Sequence, residues 1–223
     1  MTIITAADWR FALGAKCLRN AARSLGYNFE AYDLGELGFG RRHVIANERF
    51  VKEGNYCDMN GRWKSKALHK PDVILSHLLI DDGPFAYLDA DAILLDRIDE
   101  AFTDKLIGVT VRRAGERCEA IGKINAGVMF FNPHSYQLVK HWKRLSDACQ
   151  NDQKAINALF SKQPNDFAAL PTEIYNNYYF DETTESAKIL HFKDDKEKMV
   201  KHIVDDRPIN LRSAGGKHPS PSP

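Results

Sequence analysis

No two of the four cysteines, Cys17, Cys57, Cys118 and Cys149, form a CxxC pair. That removes zinc-ribbon and thioredoxin-like chemistry, and four scattered thiols in 223 residues make no disulfide framework. Reduced, mostly packed cysteines are the expectation. No apolar run approaches the ~20 residues that span a bilayer. The segment Met1-Thr-Ile-Ile-Thr-Ala-Ala-Asp8 has neither the basic n-region nor the apolar h-region of a secretion signal. A soluble, cytoplasmic protein is therefore expected. GxxxxGK(S/T) and GxGxxG are both missing, which excludes the P-loop and dinucleotide-binding fingerprints. An excess of one charge is missing too. The formal net charge is +1, so no global field directs the chain to nucleic acid or to an anionic membrane.

What is present reads as one α/β domain over residues 1–206, followed by a disordered Pro/Gly/Ser tail over 207–223. Thr2–Thr5 is a short strand. Phe11, Ala15, Leu18, Ala22 and Leu25 then draw one apolar helical stripe that Gly26 ends. Tyr27–Tyr32 follows as a strand, so the chain opens βαβ, which requires a parallel pair and a right-handed crossover. Residues 33–63 read as loops with a short helix near Ile45–Val51. Lys64–Leu79 regains helical spacing, with Pro71 starting its own segment, and Asp81-Asp-Gly-Pro84 is a turn. Strands are expected at Leu106–Val111, Gly127–Asn132 and Lys188–Phe192. A helix with the stripe Leu138, Trp142, Leu145, Cys149 follows Pro133. A second is capped by Asn151 or Asp152 and runs to about Phe160, and a polar helix covers Lys196–Val204.

The feature that points to chemistry is Ala86-Tyr-Leu-Asp-Ala-Asp-Ala-Ile-Leu-Leu95, in which two carboxylates interrupt a buried-strand pattern. An ionised carboxylate taken out of water costs several kcal/mol unless a cation or donor network offsets it. Asp89 and Asp91 are therefore expected to hold a divalent ion, Mg²⁺ or Mn²⁺, at a strand end. If the strand continues through Ala90, both point to one side. If the chain turns there, one ligates and the other orients it. The competing explanation is a strand end with solvated acids. His191, after Lys188-Ile-Leu, is a structural histidine unless its strand ends beside Asp91, where an imidazole would complete a coordination set. Asn125-Ala-Gly127 is small enough to admit close backbone approach, and Asn151-Asp-Gln153 is explained by capping alone. Lys64, Lys66, His69 and Lys70 form a basic cluster compatible with a nucleic-acid base, yet a solvated helix face accounts for it more cheaply. A phosphatase of the haloacid-dehalogenase type would want its DxD on the first strand, and here the pair is central.

Five segments in chain order resemble a GT-A-fold glycosyltransferase of family-8 type, the glycogenin and galactosyltransferase-like group, and related nucleotide-diphospho-sugar transferases. They are Ile3-Ile4-Thr5-Ala6-Ala7-Asp8, Tyr87-Leu88-Asp89-Ala90-Asp91, Ile124-Asn125-Ala126-Gly127-Val128, Asn151-Asp152-Gln153 through Asn157, and Leu190-His191-Phe192. The resemblance implies a Rossmann-like α/β fold with a mixed, mostly parallel central sheet flanked by helices. It implies a metal-dependent glycosyltransferase that uses a nucleotide-diphospho-sugar, a UDP-sugar by preference, with retention of anomeric configuration. Asp89, Asp91 and His191 would hold Mn²⁺ or Mg²⁺, and Thr5, Ala6 and Asp8 would line the nucleotide pocket. Lys66, or Arg62 in its place, would contact donor phosphate or sugar. Asn125 and Gly127 would border the donor sugar, Asp152 and Gln153 would face its reacting centre, and Lys193 would neutralise the leaving diphosphate. The acceptor stays open among a glycan, a protein side chain and a nucleic-acid base. A catalytically degenerate sugar-nucleotide-binding module is the alternative reading.

Overall fold

The computed structural model describes residues 1–34, 41–42, 55–57, 63–65, 68–112, 123–178, 185–192 and 199. The helices expected near 45–51 and over 196–204 (Met199 apart), the tail, and Arg62, Lys66 and Lys193 lie outside the described residues.

The first strand, β1 (Thr2–Ala7), is buried along its whole length. Helix α1 (Ala12–Ser24) buries Ala15, Leu18 and Ala22, as its spacing predicts. Its end is a Schellman motif. Gly26 sits at φ +83°, the Tyr27 N–H donates to the Ala22 carbonyl and the Gly26 N–H to that of Arg23. Strand β2 (Asn28–Asp33) then pairs parallel to β1, which completes the opening βαβ unit.

Short pieces follow, β3 (Arg41–Arg42), β4 (Asn55–Cys57) and β5 (Trp63–Ser65). Helix α2 (His69–Leu78) begins later than its spacing predicts, because residues 63–65 are paired to β4 as a strand. Pro71 falls in its first turn, where the missing N–H has no intrahelical use. Strand β6 (Phe85–Leu88) and strand β7 (Ala92–Leu94) flank the two aspartates. Then come β8 (Ile107–Val111), β9 (Ile124–Phe131), α3 (Tyr136–Cys149), α4 (Asp152–Lys162), β10 (Phe167–Pro171), α5 (Thr172–Tyr175), β11 (Asn177–Tyr178) and β12 (Ile189–His191).

The main sheet has the order β10-β8-β9-β6-β1-β2-β3 and is parallel except at β9, which runs antiparallel to β6 and β8. Alternation along each strand divides the core. Ile4, Phe85, Tyr87, Met129 and Phe131 face α2, α3 and α4. Ile3, Ala86, Leu88, Val128 and Phe130 face α1 and a second, three-stranded sheet ordered β11-β12-β7. Strands covered on both sides read as continuous apolar runs, which is how β9 could be recognised.

Two details depart from the expectation. On α3 the buried face runs through Leu138, Trp142 and Ser146, whose Oγ donates to the Trp142 carbonyl, and Cys149 at the last turn is exposed. The packed-thiol expectation thus fails at Cys149, while Cys17 is half-buried. The strands β10 and β11 were not legible in advance. Among the described residues, no helix is long and apolar enough to cross a membrane.

Candidate active site

A cleft of about 470 Å³ opens at the carboxyl ends of β1 and β6, where open α/β sheets bind their ligands. Asp89 and Asp91 stand on its floor. The chain turns between them, and the Ala92 N–H donates to the Asp89 carbonyl at 2.9 Å. The continuous-strand geometry is therefore replaced by a turn that hands the chain from the main sheet to the second one. There β12 pairs antiparallel to β7, with His191 opposite Ala92, and the Phe192 N–H donates to the Asp91 carbonyl at 3.0 Å. This pairing brings a histidine from the end of the described chain to the turn. His191 Nε2 lies 3.2 Å from Asp91 Oδ1 and 3.9 Å from Asp89 Oδ2.

One donor atom from each of Asp89, Asp91 and His191 lies within 4.8 Å of the other two. Two carboxylate oxygens and an imidazole nitrogen at this spacing could together hold a divalent metal ion. The packing around them agrees. A Cβ on Gly127 would strike the His191 ring and come within 2.8 Å of both Asp89 Oδ2 and Asn125 Oδ1. The backbone there is close enough to the three groups that only hydrogen fits.

Gly127 reaches this point because β9 is irregular. Val109 of β8 faces Met129, whereas the next residue, Thr110, faces Asn125, so Ala126 to Val128 bulge away from β8, while Val128 stays paired with Leu88 of β6. Bulges of this kind re-aim side chains beside active sites. The Gly127 carbonyl instead accepts from the Asp89 N–H at 2.8 Å.

Lys70, at the start of α2, points into the cleft and not to solvent, so the solvated-face reading of the basic cluster is wrong for it. Its Nζ lies 2.9 Å from Asp89 Oδ2 and 4.0 Å from Asp152 Oδ2, with 14% of the side chain exposed. Burial works against its charge, yet Asp89 and Asp152 together outweigh burial and hold the ammonium above the ordinary lysine value. Burial pushes the Asp152 carboxyl up, with Lys70 opposing. His69 is engaged as well. Its Nε2 is 2.9 Å from the Tyr87 hydroxyl, which donates to Asp89 Oδ1 at 3.0 Å. Burial and then Asp89 push the Tyr87 phenol far above its usual value, so it stays a donor.

Asp152 and Gln153 reach the cleft from the start of α4. Asn151 caps that helix by accepting from the Lys154 N–H at 2.8 Å, and the Trp142 indole donates to the Asp152 carbonyl at 2.8 Å. Asn157 grips both backbone groups of Ile124: its Oδ1 accepts from the N–H at 2.8 Å, and its Nδ2 donates to the carbonyl at 3.1 Å. That clamp ties α4 to the strand carrying Asn125 and Gly127.

Of the residues expected at the site, Ala6, Asp8, Asp89, Asp91, Asn125, Gly127, Asp152, Gln153 and His191 border one cleft. Asp8 is held by Arg10 in a close ion pair at 2.6 Å. Thr5 lies one residue below the wall, fully buried. Sequence reasoning missed the parts played by Lys70, Tyr87 and Arg112. Arg112, at the end of β8, lines the cleft, and its buried Nε has no hydrogen-bond partner among the described residues. The one signal for Lys70 was its place just before Pro71, at the start of a helix leading to the DxD strand.

No protein-family model and no curated protein sequence matches the chain. Solved structures do. A glycosyltransferase involved in glycosylating the major capsid of PBCV-1 superposes with TM-score 0.65 at 15% identity, over 90% of this chain and 98% of that one. The galactosyltransferase LgtC, solved with donor and acceptor sugar analogues, gives TM-score 0.52 at 17% identity over 86% of this chain and 87% of its own. The apo glycosyltransferase GlyE of Streptococcus pneumoniae TIGR4 gives 0.52 at 15% identity, over 86% of this chain and 54% of its own. At such identities the likeness speaks for architecture: this chain has the GT-A glycosyltransferase fold.

Proposed function

We propose that the protein is a metal-dependent glycosyltransferase that moves a sugar from a nucleotide-diphospho-sugar, a UDP-sugar, to an acceptor with retention of configuration. The observation that carries the proposal is the convergence of Asp89, Asp91 and His191 at the cleft floor. The LgtC structure, which holds donor and acceptor analogues in the same fold, supports it.

Breaking the bond between sugar and diphosphate leaves negative charge on the departing phosphate and positive charge on the sugar. A divalent cation, Mn²⁺ or Mg²⁺, held by Asp89, Asp91 and His191 would neutralise the first of these. The chain's own residues divide the remaining work. Ala6 and Asp8 line the nucleotide end, with Thr5 packed beneath. Asn125 and Gly127 border the donor sugar, and Asp152 and Gln153 face its anomeric carbon. Asp152 stabilises developing positive charge there, and Gln153 supports attack from the face the diphosphate leaves. Lys70 sits between Asp89 and Asp152, where it keeps two nearby carboxylates from repelling each other. Lys193, and Lys66 or Arg62, supply cations to the diphosphate.

A thermal-shift screen of UDP-sugars with and without Mn²⁺ tests this, because a ligand bound only by the folded state raises apparent stability. At 100 times the dissociation constant the gain is about 2.7 kcal/mol. The expected result is a shift that needs the metal, accompanied by slow hydrolysis of one donor. A shift with the donor left intact would instead support the binding module, and no shift with any donor would refute both readings.

A further inference from the structure

His191 can ligate a cation through Nε2 only in the tautomer that carries its hydrogen on Nδ1, since a protonated ring nitrogen has no free lone pair. Its Nδ1 lies 2.8 Å from Asn176 Oδ1. By itself that contact leaves the tautomer open, because an amide can turn either a donor or an acceptor to the ring. The surrounding hydrogen bonds close the question.

The chain of bonds begins at a hydrogen that cannot be moved. The Gly127 backbone N–H donates to the Asn125 side chain at 2.8 Å, so the receiving atom is the carbonyl oxygen, Oδ1. That same oxygen is 3.2 Å from the Asn176 amide, which must therefore present Nδ2. The other hydrogen of Nδ2 is taken by Thr110 Oγ1 at 2.7 Å. With both hydrogens committed, Asn176 has only Oδ1 to offer His191, and the ring must donate from Nδ1. Nε2 is left with its lone pair turned to Asp91 and Asp89. This order is imposed against the pull of Asp91, whose carboxylate would otherwise draw the hydrogen to Nε2. Asn176, Thr110 and His191 are all buried, so water does not compete for these bonds.

We infer that Asn176 is a positioning residue that sets the His191 tautomer for a divalent cation, through a relay anchored on the Gly127 N–H. The inference rests on the metal site proposed above. Loss of such an outer partner typically weakens metal binding ~10–100-fold.

Two measurements decide it. In chelator-treated protein, at a pH that leaves the ring neutral, two-bond ¹⁵N–¹H correlations should place the His191 hydrogen on Nδ1. Mn²⁺ titrations followed by the electron paramagnetic resonance of the free ion should show Asn176→Leu binding ~10–100-fold more weakly. A hydrogen on Nε2 in the wild type, or wild-type affinity in the leucine variant, overturns the inference while leaving the metal site standing. Failure of the wild type to bind Mn²⁺ overturns the metal site and this inference together. Should the leucine variant not fold, the wild-type tautomer alone decides.

Discussion

Asp91→Ala is expected to reduce Mn²⁺-dependent hydrolysis of a UDP-sugar at least ~10²–10³-fold, the range seen when one preorganised electrostatic group is removed from a reacting centre. Asp91 is almost wholly buried at the end of a turn, and its carboxylate faces His191 Nε2 at 3.2 Å. Alanine leaves the turn itself intact, because the bonds that hold it run from the Ala92 N–H to the Asp89 carbonyl and from the Phe192 N–H to the Asp91 carbonyl. The variant should therefore keep the wild-type circular dichroism spectrum while losing turnover. Hydrolysis at the wild-type rate, with an unchanged metal requirement, would remove Asp91 from the mechanism.

Gly127→Ala should harm the same site by a steric route. Gly127 has no left-handed backbone to lose, since Gly26 holds the positive φ value among the described glycines. Its added Cβ would meet the His191 ring and crowd Asp89 and Asn125. Overpacking a well-filled site costs about 1–3 kcal/mol. Here the groups that must give way are two of the three metal donors and the first acceptor of the Asn176 relay. The variant should thus melt lower and bind Mn²⁺ at least ~10-fold more weakly, as expected for a disturbed metal shell. A Gly127→Ala protein with wild-type Mn²⁺ affinity would show that the site tolerates a displacement larger than its geometry suggests. A melting measurement without metal separates the packing cost from the lost ion.

The sequence was informative where one residue type leaves few physical options. Two aspartates inside a buried run pointed to a cation or a donor network, and the Ala15, Leu18, Ala22 stripe with Gly26 after it marked a helix and its cap. What was hidden depended on pairing between distant segments. Nothing local says that β12 will lie antiparallel to β7, yet that pairing alone brings His191 to Asp91. Whether the strand continues or turns between Asp89 and Asp91 stayed open for the same reason, since each flanking strand joins a different sheet. Lys70 looked like an ordinary surface lysine because its neighbours His69 and Lys66 are polar, and its burial follows from the acids that α2 happens to face. Strand β10, Phe167–Pro171, contains two alanines and ends in proline, so its signal for a strand was weak. Asn176 carried no signal at all: an asparagine after a single helical turn is unremarkable until its partners are known.

The central claim is that Asp89, Asp91 and His191 hold a divalent cation that in turn holds a nucleoside diphosphate. Calorimetric titration of UDP into the protein, once with Mn²⁺ and once with excess chelator, tests it most directly. The account predicts binding that requires Mn²⁺ and vanishes in Asp91→Ala even when the metal is present. Equal UDP affinity in metal and in chelator would contradict it.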